Sequence, residues 1–522
     1  MTRTRTRRLS GALAAVTALA LTLGACGGSD VADPAAAGSG DTSTTQTDTG
    51  AADSAATGTT GTTVPGAADA PAADTTVPGT TTTTKDSNGK TSGRDKSGKT
   101  TTANPGTATQ AGTSADANLA AAKMIASAPI FGGETACKPA TLSEIPIGNV
   151  STLSGVLGEL FAPVVPALEV FVASQNACGG LNGHRIKFVQ GDDQGDPATA
   201  VARVTDMIQK NKVLAFVGNI EVLTVDAIVP TIKKYGIPVI GADMTNNTWF
   251  TNSLMFPQGS PPQAVAYGYV AGAMQYHKTK NIGIMWCIEV PRSCEQINRA
   301  FTEVAPQLGA VVKKSLQVSI TAPSYVQQCL ELKNAGVETV ALNLDAASQV
   351  RVARSCQQVG YHPHVVTYPV AVGNEKQFFG DKWLGNSYVP QNTFAWMNTD
   401  TAAERYYQAA VKKYNPGFET GGAASLGWTA GALLVAASAG LTPENPTTKQ
   451  FLDTLYTFKG QSWTTLGGLS PSPLTFREGS TPKVPYCYFY AVTNDANNGW
   501  KASSSKPTCT DFVAPSDPQK SS

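Results

Sequence analysis

The chain has no excess of charge of either sign. Its 522 residues include 39 Lys and Arg against 38 Asp and Glu, which gives a formal net charge of +1 at pH 7. Proteins that hold nucleic acid or an anionic surface by electrostatics present a strongly basic face. The balance therefore disfavours both kinds of partner, and we expect no binding to nucleic acid.

The sequence also lacks the motifs of phosphate and acyl chemistry, because it contains no G-x-G-x-x-G, Walker or G-x-S-x-G pattern. Only four histidines are present. We expect His184 and His277 at ordinary surface positions, and His362-Pro363-His364 in a surface turn, since no third metal ligand accompanies it. These absences argue against an enzyme and against a metal or other cofactor.

Long apolar runs are missing except near the N-terminus. Gly11–Leu23 follows four arginines and no acid, and it is too short to span a bilayer, which is typical of a signal peptide. Its end, Leu23-Gly24-Ala25-Cys26, resembles the lipobox of bacterial lipoproteins. We expect a signal peptide over 1–26 and lipidation of Cys26, which would anchor the chain to the outer face of the cell membrane. An ordinary secretory signal containing a cysteine is the alternative.

The next stretch contains almost no large apolar residues. From Gly27 to about Ala115 the chain is built nearly entirely from Thr, Gly, Ala, Ser, Asp and Pro. Such a composition buries too little apolar surface to offset the entropy of ordering. We therefore predict a disordered tether over 27–121, acting either as a plain spacer or as a carrier of O-linked glycans.

Cysteine, by contrast, is present in an even number once Cys26 is set aside. Eight thiols allow 105 pairings, and an exported chain favours disulfides over free thiols. A zinc site is the alternative, but no Cys-x-x-Cys or Cys/His cluster occurs. Pairing sequence neighbours predicts the disulfides Cys137 with Cys178, Cys287 with Cys294, Cys329 with Cys356, and Cys487 with Cys509.

Short apolar runs alternate with helical stretches along the rest of the chain. Helices are indicated by buried-face spacing, and one begins with the N-cap Asp196 followed by Pro197. This alternation predicts parallel sheets covered on both faces, and the strands are too many for one ordinary sheet. We expect an α/β fold of two lobes, with the ligand at the carboxyl ends of the strands. The predicted strands are 145–150, 186–189, 213–217, 237–241, 282–286, 311–318, 337–344 and 365–368.

A glycine-rich turn carries a family resemblance. Asn176-Ala177-Cys178-Gly179-Gly180-Leu181-Asn182-Gly183-His184-Arg185-Ile186, followed by Asp192-Asp193-Gln194-Gly195-Asp196-Pro197, resembles the branched-chain (leucine/isoleucine/valine) amino-acid-binding family of type I periplasmic binding proteins. Ser151-Thr152-Leu153-Ser154-Gly155 before it, and Val217-Gly218 and Ile237-Pro238-Val239-Ile240 after it, match the family in order and spacing. Members are the substrate-binding components of ABC transporters.

The resemblance implies two Rossmann-like lobes with a cleft between them, joined by three crossover segments. The folded domain is expected over 122–515. The crossovers are expected near Phe256-Pro257, near Ser387-Tyr388 and near Gly467–Ser470. Lobe one would combine about 140–256 with 388–467, and lobe two about 257–387 with 468–515.

The ligand contacts that the resemblance implies in lobe one follow its first, third and fourth strands. Ser154 and Thr245 are the polar contacts that the resemblance supports most directly. The loop after the third strand has Asn219 but lacks the family's serine, and Met244 stands beside Thr245. Asp243 adds an acid that could receive a cation or hydroxyl groups, with N-capping as its alternative role.

In lobe two, the position at which the family places an acid for the ligand ammonium is Val370. The usual aromatic residue is replaced by Asp345-Ala346, where Asp345 could contact the ligand or cap a helix. Trp286 and Tyr368 could form aromatic walls, although packing is an equal alternative for Trp286. We expect Cys287–Cys294 to close a small flap at the edge of the cleft.

Together these features predict a lipid-anchored solute-binding protein outside the cytoplasm. It would capture a small polar molecule, an amino acid or a related compound, and deliver it to an ABC-transporter permease. A buried zwitterion needs both of its charges paired, and the expected partners are incomplete, so the solute could differ from a classical amino acid. The alternatives are a sensor that signals to a partner protein without transport and, less favoured, a surface adhesin.

Overall fold

The computed structural model describes residues 108–155, 157–372, 378–380, 382–502 and 504–520. The predicted signal peptide, the predicted lipidation site Cys26 and the predicted tether as far as residue 107 lie outside these ranges.

The first sheet contains the five strands that the early apolar runs form. Its strand order is β2-β1-β3-β4-β5, and all of its pairs are parallel. The central strands β3 and β4 are buried along their whole length, as continuous apolar runs in a covered parallel sheet should be. The strands are β1 Leu142–Ser151, β2 His184–Asp192, β3 Ala215–Asn219, β4 Val239–Ala242 and β5 Met255–Phe256.

The second sheet has the order β12-β11-β10-β9-β8-β6-β7, with β13 paired to β11. Strands β6 to β10 pair in parallel, whereas β11 runs antiparallel to β10, β12 and β13. The strands are β6 Asn281–Cys287, β7 Val311–Val318, β8 Thr339–Asn343, β9 His364–Thr367, β10 Ser387–Gln391, β11 Tyr486–Thr493, β12 Trp500–Ala502 and β13 Thr508–Thr510.

Helices cover the sheets, and several begin at a side-chain cap. The Asp196 carboxylate accepts from the Thr199 N–H, and Pro197 occupies the first turn, as predicted. Helices are α1 Ala108–Ser127, α2 Gly158–Phe161, α3 Val164–Asn176, α4 Pro197–Gln209, α5 Val225–Tyr235, α6 Thr248–Thr251, α7 Pro262–Ala271, α8 Pro291–Val304, α9 Val326–Asn334, α10 Ala346–Gln358, α11 Ala402–Tyr414, α12 Gly422–Ala437 and α13 Thr448–Leu455.

Helix α12 is the central helix of lobe one, and every one of its residues is buried. A Cβ atom added at Gly431 would lie 2.5 Å from the Phe171 ring of α3, so glycine permits this close approach. In the described part of the chain, Gly422–Gly440 alone is long and apolar enough to cross a membrane. However, 94% of its apolar window is buried in the protein, which is typical of a core helix.

The chain crosses between the sheets three times. The first crossing joins β5 to α7, close to the expected Phe256-Pro257. Strand β10 belongs to the second sheet, so the second crossing follows Gln391 rather than Ser387-Tyr388. Phe476 still packs on Phe256 of the first sheet, so the third crossing comes after it and beyond Gly467–Ser470.

Helix α1 begins inside the segment that the sequence assigns to the tether. Ala117, Ala121 and Ile125 recur at four-residue spacing and are buried against lobe one. The Asn118 side chain donates to the Thr457 carbonyl at 3.2 Å. The folded part therefore begins before residue 122, because an alanine-rich stretch that looks like spacer in composition also forms helix readily.

The eight described cysteines form the four neighbour pairs that the sequence predicts. Cys329–Cys356 joins α9 to α10, and Cys487–Cys509 joins β11 to β13. The other two pairs are Cys137–Cys178 and Cys287–Cys294.

Candidate functional site

A small cavity lies between the two lobes, at the carboxyl ends of strands from both sheets. Each of its lining residues lies at or beyond the carboxyl end of a parallel strand, which is where open α/β sheets bind ligands. Lobe one contributes Leu157, Leu160, Phe161, Val222 and Thr245, and lobe two contributes Cys287, Val290, Ser293, Cys294, Ile320, Asn343, Leu344, Asp345 and Tyr368. We call this space the cleft cavity.

The walls of the cleft cavity are mainly aliphatic and aromatic, and none of the described residues that line it is a lysine, arginine or histidine. A larger, more open groove between α1 and Cys178–Gly183 lies at the amino end of β2, away from the strand ends that position ligands. Within the described ranges, no group of three histidine, cysteine or acidic side chains could hold a metal ion.

Asp243 lies just behind the wall, in the turn that follows β4. The backbone of Met244 has φ = +53°, which bends the chain back so that Asp243 Oδ1 accepts from both the N–H and the hydroxyl of Thr245. Asp243 is fully buried, and its Oδ2 atom has no hydrogen-bond partner among the described residues. Burial raises the pKa of this carboxyl to about 6, although its hydrogen bonds oppose the shift.

A second buried acid, Glu221, follows β3 on the same lobe. Its Oε1 atom accepts from the side-chain Nδ2 of Asn219 at 3.0 Å, and the side-chain Oδ1 of Asn219 in turn accepts from the Val150 N–H at 3.3 Å. Its Oε2 atom has no partner in the described part of the chain. Burial raises the pKa of Glu221 well above its usual value, and the neighbouring charges of Asp193 and Asp243 add to the shift.

Tyr368 brings the second lobe next to these acids. Burial raises the pKa of its hydroxyl well above the usual value, and the nearby Asp243 charge adds to the effect. Thr245, which donates to Asp243, lines the cleft cavity from the other lobe. Asp243 is therefore bonded to a wall residue of lobe one, and its charge acts on a wall residue of lobe two.

Helix α8 of lobe two contacts lobe one beside the cavity, and we call these contacts the α8 latch. Ser293 Oγ donates to the Thr245 carbonyl at 2.7 Å, and Gln296 Oε1 accepts from the Asn247 N–H at 2.9 Å. Arg292 also forms an exposed ion pair with Asp226. These bonds join the lobes across the cleft, so they exist only when the lobes are together.

The Cys287–Cys294 disulfide ties the end of β6 to the first turn of α8. Both of its cysteines line the cleft cavity, at the place where the sequence predicts a small closed flap. The crosslink therefore holds the latch residue Ser293 next to the cavity wall.

The structure brings four of the predicted site residues together. Thr245, Asp345 and Tyr368 line the cleft cavity, and Asp243 lies directly behind it. Asp345 is also the N-cap of α10, because its carboxylate accepts from the Ser348 N–H at 3.0 Å and from the Ser348 hydroxyl.

The other predicted site residues do not line the cavity. Ser154 is exposed, and Ala346 is half-buried at the start of α10. Trp286 donates from its indole to Ser315 Oγ at 3.0 Å on the neighbouring strand. Met244 and Val370 lie in the apolar core, and Asn219 orients Glu221 from inside lobe one.

Sequence reasoning missed Glu221 and most of the aliphatic wall. Glu221 carries one recognisable signal, because it is an acid inside an apolar segment directly after a buried strand. Phe161, Val290 and Ile320 carry no such signal, since apolar residues at these spacings also fill ordinary cores.

The geometry agrees with comparisons to known proteins. A family model described as periplasmic binding protein matches residues 144–496. No protein among the curated sequences matches the chain. The solved structures compared below have identities of 15% and 16%, so they bear on the fold alone.

Three such structures illustrate the likeness. A solute-binding protein of an ABC transporter from R. palustris, in complex with benzoate, has a TM-score of 0.57 at 15% identity, over 70% of this chain and 98% of its own. LivJ from Streptococcus pneumoniae is a branched-chain amino acid transporter substrate-binding protein in complex with isoleucine. It has a TM-score of 0.57 at 16% identity, over 70% of this chain and 100% of its own. A possible leucine/isoleucine/valine-binding protein from Rhodopirellula baltica has a TM-score of 0.59 at 15% identity, over 70% of this chain and 98% of its own.

Proposed function

The chain belongs to the periplasmic binding protein family, and from this premise we propose that it captures a small solute between its lobes and delivers it to an ABC-transporter permease. The observation that carries the proposal is the cleft cavity, whose wall is built from both lobes at the carboxyl ends of their strands. A solute held there contacts both lobes and so favours the closed form over the open one.

We place the solute against the aliphatic wall, with its polar group towards Thr245, Asp243 and Tyr368. The support is physical: the wall offers apolar area, whereas polar side chains are few, and one of them, Thr245, is bonded to Asp243. This division is the common arrangement of small-molecule sites, in which apolar contact supplies affinity and a few polar groups fix orientation. The R. palustris and S. pneumoniae relatives hold benzoate and isoleucine, which are small solutes with apolar bodies.

We further propose that the protein works outside the cytoplasm, anchored through lipid on Cys26 and a tether that ends at α1. The lipobox-like sequence supports the anchor, and the Thr/Gly/Ala-rich composition supports the tether. Because α1 packs on lobe one, the tether joins the folded part there. Confinement near the membrane raises the effective concentration of the protein at its permease.

A thermal-shift screen of the full mature chain tests solute capture. A solute at about 100 times its dissociation constant stabilises the native state by roughly 2.7 kcal/mol, so we expect the melting temperature to rise by several degrees. The panel covers amines, amino acids, aromatic acids and sugars. A flat response across the whole panel would count against solute capture.

A further inference from the structure

Two buried carboxylates beside the cleft cavity have no counter-ion among the residues that the structure describes. Oδ2 of Asp243 and Oε2 of Glu221 accept no hydrogen bond from the described residues. None of the ion pairs in the described part of the chain includes either acid. The indole of Trp249 lies close enough to favour the charged form of Asp243, but its N–H does not reach hydrogen-bonding geometry.

Burial without a partner is unfavourable for a carboxylate, so each acid must either be protonated or meet a cation from outside the protein. Burial raises the pKa of Glu221 well above its usual value, and the charges of Asp193 and Asp243 add to the shift, so the environment favours the protonated form of Glu221. The Asp243 charge in turn raises the pKa of the Tyr368 hydroxyl, which therefore stays neutral near pH 7. Asp243 then holds the negative charge near neutral pH, since its pKa is raised only to about 6.

The fold also gives a solute a route to Asp243. Asp243 accepts from Thr245 of lobe one, and its charge acts on Tyr368 of lobe two; both of these residues line the cleft cavity. Because Thr245 and Tyr368 belong to different lobes, we expect separation of the lobes to open the wall in front of Asp243. A cationic group entering with the solute could then bind Oδ2 before the lobes close.

Among the described residues, the remaining wall has no charged group suited to a solute carboxylate. No described lysine, arginine or histidine lines the cavity, and Asp345 is an acid whose oxygens already accept from Ser348. The body of the solute faces aliphatic and aromatic side chains such as Phe161, Val290 and Ile320.

We infer that the solute is a small organic cation, an amine or ammonium compound with an apolar body and no carboxylate, whose charged head binds Asp243 beside Glu221. This inference rests on the proposed capture function and specifies its substrate class. Lobe one thus supplies the charged contact through the Asp243 carboxylate. The cation becomes the partner that this carboxylate does not have among the described residues.

Calorimetry on the full mature chain with three compounds that share one carbon skeleton shows whether the protein recognises an amine, a carboxylate or both. L-leucine carries both charged groups, 3-methylbutylamine keeps only the amine, and 4-methylpentanoate keeps only the carboxylate. We expect 3-methylbutylamine to bind at least about tenfold more tightly than either of the others at pH 7.5, a difference of roughly 1.4 kcal/mol.

Two results would overturn the substrate class. One is binding of leucine or 4-methylpentanoate in preference to the amine, in which case solute capture stands and only the cation inference fails. The other is the absence of binding by every amine in a panel that includes 2-phenylethylamine and choline. If no compound in the thermal-shift panel raises the melting temperature either, then the proposed capture function fails together with the cation inference.

Substitution at the acid tests its role directly. Asp243→Asn should weaken binding of 3-methylbutylamine at least about tenfold, which is the effect expected when a buried charge loses its partner. Asp196→Asn is the matched control, since it makes the same change at an exposed N-cap of lobe one and asparagine caps equally well. The control should bind within twofold of the parent chain.

The amine affinity of the parent chain should depend on pH, which would not be so if Asp243 had a purely structural role. This measurement can be made without a variant. Only ionised Asp243 attracts the amine, so affinity should be constant above about pH 7 and fall towards tenfold per unit below about pH 6. Asp243→Asn should abolish this fall. Unchanged amine affinity in Asp243→Asn, or a pH-independent affinity in the parent chain, contradicts the assignment.

Discussion

At the scale of single residues, Asp243 links stability to function. Its native pKa of about 6 lies above the usual aspartate value of 3.8, because burial disfavours the charged form. The stability that its protonated form contributes is fully present below about pH 4 and is lost as the pH rises through about 6. The empty protein therefore tolerates an unfavourable charge at neutral pH, as functional sites often do.

Asp243→Asn should consequently stabilise the solute-free protein, and only at higher pH. An amide keeps the bonds with Thr245 but carries no charge, so we expect a gain of about 1–3 kcal/mol in unfolding free energy at pH 7.5 and almost none at pH 4. Urea unfolding at the two pH values measures the difference. Equal effects at both values would show that the native pKa of Asp243 is not raised.

The sequence could predict part of the site because strand ends can be recognised locally. Thr245, Asp345 and Tyr368 were placed at strand ends and line the cleft cavity. The sequence could not predict which way the Trp286 side chain points. A strand covered on both faces has no alternation of polar and apolar residues, so the pattern does not distinguish its two faces.

His184 shows the same limit for long-range contacts. It is fully buried rather than at the surface, and its ring bonds to the Thr442 carbonyl, 258 positions away. His277 is likewise half-buried and stacks on His364 at 4.7 Å. Local patterns contain no information about partners so distant in the chain.

At the scale of elements, the Cys287–Cys294 disulfide should matter more for binding than for stability. It closes a short loop, with a sequence separation of 7, so its removal by Cys287→Ser with Cys294→Ser should cost about 2–3 kcal/mol of unfolding free energy. Because it positions Ser293 of the α8 latch, we also expect weaker amine binding. Calorimetry and urea unfolding measure the two effects.

The Cys329–Cys356 disulfide provides the matched control. Its sequence separation of 27 predicts a larger loss of stability on removal, yet neither cysteine lines the cleft cavity. Cys329→Ser with Cys356→Ser should keep the amine affinity. If the two double variants lose affinity equally, the first disulfide has no particular role at the cleft.

The sequence predicts eight of the ten parallel strands, because each of these is a short apolar run close to a helix. It does not predict the parallel strands β5 and β10, nor β11 to β13, which form the antiparallel edge of the second sheet. It also assigns the start of α1 to the tether. There, helical structure depends on Ala117, Ala121 and Ile125 packing against lobe one, which composition does not reveal.

At the scale of the whole molecule, the number of predicted strands indicates two lobes, because the strands are too many for one ordinary sheet. The crossings could be placed only approximately, because β10 could join either sheet by sequence pattern alone. The arrangement matters for function, since the cleft cavity and the α8 latch both depend on residues from the two lobes.

Closure of the lobes around a solute is the central claim, and hydrogen–deuterium exchange on the full mature chain tests it most directly. The latch includes the Asn247 N–H, which donates to Gln296 of the other lobe. With 3-methylbutylamine, or with whichever panel compound raises the melting temperature, exchange should slow together in residues 243–250 and 287–296, and remain unchanged in α4. Protection confined to one lobe, or no protection by a compound that binds, would contradict the account.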